Sequence, residues 1–201
     1  MHRRPNAAGL SPLAAKLPDV LLGAGTRVAR IHRSTTTEPF FGPQAGGAPT
    51  RRFHDPLGEF RVCFLGEDPS ASFAETFLRN PPVRLITRSE LAQRALTTFR
   101  ILRDVRLVPL HGEGLAKVGY TADVTSSPPP YDVPQALSRM LWDHSDQPDG
   151  ILYRCRHDNS LLAIALYHRA ADALEAVKTE GLLGDRARLL GWRDRYGFEI
   201  A

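Results

Sequence analysis

The chain has 201 residues, of which 42% are hydrophobic and 24% charged, a composition typical of a soluble globular protein and not of a disordered chain. Its net charge of +4 comes from 26 basic and 22 acidic residues that are interspersed, which argues against direct nucleic-acid binding. No apolar run approaches the ~20 residues that a membrane-spanning helix needs, so no membrane association is expected.

The cysteines and the first residues predict a cytoplasmic protein. Cys63 and Cys155 lie far apart in apolar runs, which favours two buried thiols in a reducing compartment over a disulfide framework. The N-terminus is basic, but Pro12, Lys16 and Pro18 interrupt the apolar core that a signal peptide requires, so export is not expected.

The domain proper is predicted to span residues 26–201, after a lead segment of residues 1–25 that is rich in Pro, Gly and Ala. Thr26 to His32 alternates polar and apolar residues, which predicts a half-buried strand carrying Arg30. Residues 34–50 then form a long Thr-, Gly- and Pro-rich loop, and loops of this length are often functional lids.

The stretch from Arg52 to Arg79 contains the main candidate for chemistry. A turn at residues 55–58 leads into an apolar strand, Phe60 to Gly66, and then into a helix with Asp68 as N-cap and Pro69 at its first position. Glu75 lies at the border of the apolar arc of this helix, so it can point into a cleft. A solvated helix acid shows the same pattern, and spacing alone leaves both interpretations open.

The second half predicts further strands and helices in alternation. Residues 89–95 are predicted as a short helix, residues 97–108 as strand material turning near Arg103, and residues 123–133 as irregular. A helix follows from Gln135 to His144, then strands at residues 151–156 and 161–167 joined by a turn. A strand near residues 174–177 and a helix over residues 185–196 complete the predicted elements.

Several common site types are absent from the sequence. The glycines lack the context of a phosphate-binding loop, and no His pairing has metal-ligand spacing, so no metal site is expected. Cys155 and His157 could be combined into a nucleophile pair, but no orienting acid is identifiable.

Several ordered motifs together resemble the RES-domain family, whose members are known as toxins paired with Xre-type antitoxins. The likeness runs from about Thr26 to the C-terminus. Its strongest segments are Arg30-Ile31, Arg52-Phe53 with Asp55-Pro56, Val62 to Arg79 with Glu75, Tyr131 to Trp142, and Asp149 to Asp158.

This resemblance implies an α/β (α+β) fold like that of ADP-ribosyltransferases, with a central mixed, partly antiparallel sheet flanked by helices. It also implies an enzyme that cleaves NAD+ as its substrate, with no metal, and passes ADP-ribose to inorganic phosphate or to a protein. Glu75, Arg30 and Arg52 are the implied catalytic residues. The NAD-binding residues are, by the same resemblance, Arg30, Arg52, Phe53, Phe64, Tyr131 and Cys155.

Two positions depart from the family pattern. Phe64 stands where most members have Tyr, and Cys155 stands where they have Ser, so two hydroxyl groups are missing. A second hypothesis follows, in which the chain is a catalytically impaired module that keeps the fold and pairs with an antitoxin. The resemblance leaves the ADP-ribose acceptor and the oligomeric state, including a homodimer, open.

Overall fold

An eight-stranded mixed sheet forms the centre of this computed structural model, which describes residues 12–44, 47–79 and 84–201. The sheet strands are β1 (Val20–Leu22), β2 (Arg27–Arg33), β3 (Val62–Gly66), β5 (Arg94–Ile101), β6 (Val105–Leu110), β7 (Gly150–Cys155), β8 (Asp158–Tyr167) and β9 (Leu174–Gly181). A separate parallel pair consists of β4 (Leu85–Ile86) and β10 (Glu199–Ile200).

The spatial order of the main sheet is β1-β6-β7-β8-β3-β2-β5-β9. β6 and β7 are parallel, and the other neighbouring pairs are antiparallel. β8 and β3 are the two central strands, and β3 and the second half of β8 are apolar and largely buried on both faces, as expected for strands covered from both sides. The predicted α+β domain, with a mixed and partly antiparallel sheet flanked by helices, is confirmed.

Helices pack against this sheet, and the first of them carries Glu75. The helices are α1 (Pro69–Phe77), α2 (Arg88–Ala92), α3 (Glu113–Val118), α4 (Asp123–Ser126), α5 (Asp132–Asp143) and α6 (Arg186–Tyr196), with 3-10 turns at His168–Ala173 and Leu182–Gly184. The predicted start of α1 is confirmed, since the Asp68 side chain accepts a hydrogen bond of 2.7 Å from the backbone N–H of Ala71. None of the helices in the described ranges is long and apolar enough to cross a membrane.

α1 is fixed against the sheet by buried apolar and aromatic contacts. Phe73 is fully buried, and its ring stacks on those of Trp192 and Phe198 at centroid distances of 4.4 and 5.4 Å. On the same helix, Ser72 donates a buried hydrogen bond of 2.8 Å to the backbone oxygen of Ala29 in β2. These contacts hold α1 across β2 and β3, so the position of Glu75 is set by the core.

The sheet opens between β2 and β3. These strands share a single register pair, Ala29 with Gly66, whereas β2 pairs with β5 over seven positions. Beyond that pair the two strands diverge and leave a gap beside α1. This split could not be read from the sequence, because both strands have ordinary strand patterns.

Several element boundaries differ from those predicted. Part of the predicted lead, residues 1–11, lies outside the described residues, but Val20–Leu22 pairs with β6 as an edge strand and Leu17 is buried in the core. The predicted irregular segment 123–133 contains α4 and the start of α5. α4 was missed because a helix of four residues shows no periodicity. The start of α5 was placed too late because Pro134 lies in its first turn, where proline is tolerated since the N–H groups of that turn have no intrahelical partner.

Candidate active site

A cavity of about 580 Å³ lies in the gap between β2 and β3 and extends along α1. It is lined by Arg30, Ile31, Arg33, Thr36, Phe40, Arg51, Arg52, Phe64, Leu65, Gly66, Ser72, Glu75, Thr76, Arg79, Arg94, Pro129, Tyr131, Tyr153, Arg156 and His157. The lining comes from both sides of the split, from the loop before β3 and from the end of β7. The fold therefore brings together residues that lie far apart in sequence.

The charges of the cavity wall are strongly unbalanced. In the part of the chain that the structure describes, seven arginines line the cavity and Glu75 is its single carboxylate. Aromatic rings of Phe40, Phe64, Tyr131 and Tyr153 supply flat apolar surface between them. A wall of this kind suits an extended anionic ligand that carries at least one ring system.

Glu75 is held in the cavity wall by one defined hydrogen bond. Its Oε1 accepts a bond of 3.0 Å from the backbone N–H of Arg156, which follows β7. Burial raises the pKa of the Glu75 carboxyl, and this hydrogen bond together with the charges of Arg52 and Arg156 partly opposes that rise. The result is a half-buried carboxylate beside cationic groups, suited to stabilising a positive charge that develops on a ligand.

Arg52 is 8% exposed and is positioned by neutral groups. Its Nη2 donates to the backbone oxygen of Ser127 at 2.9 Å, and its guanidinium lies over the Tyr131 ring, 5.2 Å from the centroid. Its Nε is buried and has no hydrogen-bond partner among the residues that the structure describes. Since no described carboxylate lies within 4.0 Å of Arg52, its charge remains available to an anionic ligand.

Arg30 differs from Arg52, because Glu38, in the segment after β2, places a carboxylate beside it. Its Nε lies 3.0 Å from Oε1 of Glu38, although the two atoms are not aligned for a good hydrogen bond. Nη1 of Arg30 contacts Cys63 Sγ at 3.5 Å and the Phe64 oxygen at 3.3 Å, and Phe40 lies beneath the guanidinium. An anion that binds Arg30 must therefore share it with Glu38 or displace Glu38.

The remaining predicted ligand-binding residues divide into two groups. Phe64 and Tyr131 line the cavity. Phe53 and Cys155 are fully buried and are not part of the lining: Phe53 packs edge-on against Tyr153, and Cys155 Sγ lies 3.9 Å from the backbone oxygen of Ala71. These two residues thus support the wall from behind.

The position of Cys155 argues against the nucleophile pair with His157. Burial raises the pKa of the Cys155 thiol, and the negative charge of nearby Glu75 raises it further, so the thiol stays protonated. His157 lines the cavity, and the pKa of its imidazole is lowered by burial and by Arg156. A neutral buried thiol is a poor nucleophile.

Several cavity residues were not predicted from the sequence. Tyr153 is the clearest, since it lies 2% exposed beside Glu75 and its hydroxyl hydrogen bonds to no described group. It lies two positions before Cys155 on β7, so the alternation of side chains along a strand could have placed it on the same face. The arginines at positions 33, 51, 79, 94 and 156 carry no local signal in an arginine-rich chain. No three potential metal ligands come together within the described ranges.

Comparison with known proteins agrees with this fold. Residues 27–191 match the family model of the RES domain. The probable toxin y4kH of Sinorhizobium fredii (strain NBRC 101917 / NGR234) is 27% identical over 112 residues, which cover 56% of this chain and 87% of that protein. A chain in the crystal structure of the M. tuberculosis MbcT–MbcA toxin–antitoxin complex superposes with a TM-score of 0.65 at 14% identity, covering 87% of this chain and 92% of that one.

Proposed function

Because this chain belongs to the RES-domain family, we propose that it is an NAD+-consuming transferase and the toxin of a toxin–antitoxin pair. In this proposal it breaks the bond between nicotinamide and ribose and passes ADP-ribose to inorganic phosphate or to a protein. The supporting observation is that Glu75 is the single carboxylate among the described cavity residues, which include seven arginines and several aromatic rings.

The charge distribution fits the charges of NAD+. The pyrophosphate of NAD+ is a dianion and suits guanidinium groups, of which Arg52 is the most deeply buried. The nicotinamide is cationic until it leaves, and the ribose then develops positive charge at C1′. A carboxylate is needed only where this positive charge forms, which agrees with one acid among many arginines.

The proposed reaction is a displacement at C1′ of the nicotinamide ribose. The bond from C1′ to the nicotinamide nitrogen breaks, and its electron pair leaves with nicotinamide, which becomes neutral. Glu75 stabilises the oxocarbenium-like ribose, and an oxygen of inorganic phosphate then forms a bond to C1′. With a protein acceptor, a nucleophilic side chain takes the place of the phosphate.

Nicotinamide release tests this proposal. Purified protein is incubated with NAD+ with and without phosphate, and Glu75→Gln is compared with Glu113→Gln, whose carboxylate is 86% exposed on α3. Wild type and Glu113→Gln should release nicotinamide, and Glu75→Gln should lose about 100-fold or more of the rate. Equal rates for Glu75→Gln and wild type would contradict the role of Glu75.

The antitoxin partner and the compartment are part of the same proposal. The relatives described above are named as a probable toxin and as a toxin–antitoxin complex, and on that ground we expect an antitoxin for this chain. The resemblance to the RES-domain family implies that this antitoxin is of the Xre type. Its two cysteines are free and buried, which suits the reducing cytoplasm, where NAD+ is also found. Co-expression with the neighbouring gene product, followed by co-purification, tests the pairing.

A second candidate function is supported by Phe64 and Cys155. Phe64 lines the cavity without a hydroxyl group, and Cys155 is buried behind α1, so neither supplies the hydroxyl that most family members have. The chain would then be a binding module that keeps the fold and the antitoxin but not the catalysis. Tyr153 lines the same cavity and has a hydroxyl group, which weakens this candidate.

Calorimetry with NAD+ separates the two candidates. An active enzyme binds NAD+ and releases nicotinamide, and Phe64→Tyr and Cys155→Ser then change its rate by about one or two decades. An impaired module shows no heat of NAD+ binding and no turnover, while its complex with an antitoxin remains stable.

A further inference from the structure

Two arginines face each other across neighbouring strands at one end of the cavity. In the antiparallel register of β2 and β5, Arg33 lies directly opposite Arg94. Directly opposed residues have Cβ atoms only about 4.5–5.5 Å apart, and like charges at such positions destabilise a sheet. Both side chains line the cavity, on the face of the sheet that carries α1.

The same two strands contain a second arginine pair that serves as an internal comparison. Arg27 lies opposite Arg100 at the other end of the register. That pair is compensated, because Arg100 donates two hydrogen bonds of 2.9 and 2.6 Å to Glu175 on β9. In the described part of the chain, neither Arg33 nor Arg94 has a carboxylate within 4.0 Å. Glu175 therefore compensates the charge of the pair Arg27 and Arg100, whereas the pair Arg33 and Arg94 faces the cavity without an ion-pair partner among the described residues.

A third arginine adds to the uncompensated charge. Arg51 lines the same cavity. Burial lowers the pKa of Arg94, and the charges of Arg33 and Arg51 lower it further; Glu90 opposes this effect but forms no ion pair with Arg94 within 4.0 Å in the described residues. The Arg94 guanidinium also lies 6.0 Å from the centroid of the Phe77 ring, which holds it against α1. Arg30 differs from these three, because Glu38 already balances its charge.

We propose that Arg33, Arg94 and Arg51 form a second anion subsite of the cavity, which binds a phosphate dianion separately from Arg52. Three guanidinium groups that form no ion pair with a described carboxylate suit a phosphomonoester or inorganic phosphate, since each guanidinium can donate two parallel hydrogen bonds to phosphate oxygens. The identity of that phosphate rests on the function proposed above. It is either the free phosphate that accepts ADP-ribose or a phosphate carried by the dinucleotide, as on the 2′-oxygen of NADP+.

Binding of inorganic phosphate tests the subsite without any turnover. Phosphate is titrated into the protein and followed by ³¹P NMR line broadening, and Arg33→Gln/Arg94→Gln is compared with the matched pair Arg27→Gln/Arg100→Gln. The cavity pair should weaken phosphate binding about 10- to 100-fold, and the control pair should bind as wild type does. The single variant Arg33→Gln replaces an exposed side chain and leaves Arg94 in place against Phe77. It should lose less phosphate affinity than the double variant, and it keeps the test valid if the double variant misfolds.

A second arm identifies the source of the phosphate. Binding of NAD+ and NADP+ is measured by calorimetry in the same variants. If the cavity pair lowers the affinity for NADP+ but not for NAD+, the subsite holds the 2′-phosphate. If only the affinity for inorganic phosphate falls, the subsite holds the free phosphate.

Phosphate binding and nicotinamide release are measured separately, so the subsite can be tested independently of the proposed function. Phosphate binding that depends on Arg33 and Arg94 supports the subsite even if no nicotinamide is released. The subsite is wrong if the cavity pair and the control pair bind inorganic phosphate and NADP+ equally well, and that result would stand even where nicotinamide release is robust.

Discussion

Gly66→Ala should loosen α1 and misplace Glu75 at the same time. Gly66 forms the single register pair between β2 and β3, and α1 crosses it in direct contact. A Cβ at this position would lie 2.5 Å from the Ser72 backbone nitrogen, 2.7 Å from Ser72 Oγ and 2.8 Å from the Ala71 side chain. Because two of these neighbours belong to the helix backbone or its first side-chain atom, the contact cannot be relieved by a rotamer change.

The size of the effect follows from these distances. Non-bonded carbon atoms settle about 3.5–4.0 Å apart, so α1 must move away from β3 by about 1 Å. Overpacking of this kind costs about 1–3 kcal/mol in the free energy of unfolding. A displacement of about 1 Å at a catalytic group can lower the rate about 100-fold, so nicotinamide release should fall by about that factor.

Urea unfolding and nicotinamide release measure the two effects, with Gly191→Ala as the matched control. Gly191 is exposed in α6, and a Cβ there meets no atom within 4 Å, so the same substitution should stabilise by about 0.4–1 kcal/mol and leave the rate unchanged. If Gly66→Ala unfolds at the wild-type urea concentration and keeps the wild-type rate, the proposed dependence of Glu75 on the α1–β3 contact is wrong.

Four further predictions concern charge. Since burial raises the pKa of Glu75, the rate should fall as the pH drops through a value above that of an ordinary glutamate, about 4.3. Because the folded state then binds this proton more tightly than the unfolded state does, the free energy of unfolding of wild type should fall relative to that of Glu75→Gln as the pH rises through the raised pKa. Urea unfolding between about pH 4 and about pH 8 measures this difference. Asp55→Ala should cost about 3–5 kcal/mol in urea unfolding, because the buried carboxylate accepts backbone hydrogen bonds of 3.0 Å from Leu57 and from Phe60, and a hydrogen bond to a charged group contributes about 1.5–3 kcal/mol; a cost below about 1 kcal/mol would contradict this. Arg52→Lys should raise the dissociation constant of NAD+ about tenfold or more in calorimetry, because lysine lacks the planar guanidinium group that lies over Tyr131. An unchanged affinity would show that Arg52 does not bind NAD+.

Local sequence signals predicted the elements that carry the site. The Asp68 cap and Pro69 gave the start of α1, and Glu75 lies on that helix at the edge of the cavity, as its place beside the apolar arc predicted. Alternation in residues 26–32 correctly predicted β2. These features were accessible because helix caps and strand alternation depend on neighbours only a few residues apart.

Features that depend on tertiary contacts were not accessible in this way. The gap between β2 and β3 exists because their pairing ends after Ala29 and Gly66, and no pattern within either strand encodes that. Cys155 was predicted to touch the ligand, but its strand carries the thiol behind α1 and places Tyr153 in the lining instead. The arginine pair at positions 33 and 94 becomes visible only through the register of β2 and β5.

The central claim is that this cavity cleaves NAD+ with Glu75 at the ribose carbon. The most direct measurement is ³¹P NMR of a reaction containing NAD+, inorganic phosphate and catalytic protein, with nicotinamide quantified in the same sample. With wild-type protein we predict a new phosphomonoester resonance, from ADP-ribose that carries the transferred phosphate, in an amount equal to the nicotinamide released. With Glu75→Gln we predict that this resonance is absent. Intact NAD+ after prolonged incubation with folded wild-type protein, or the same product from Glu75→Gln at the wild-type rate, would contradict the claim.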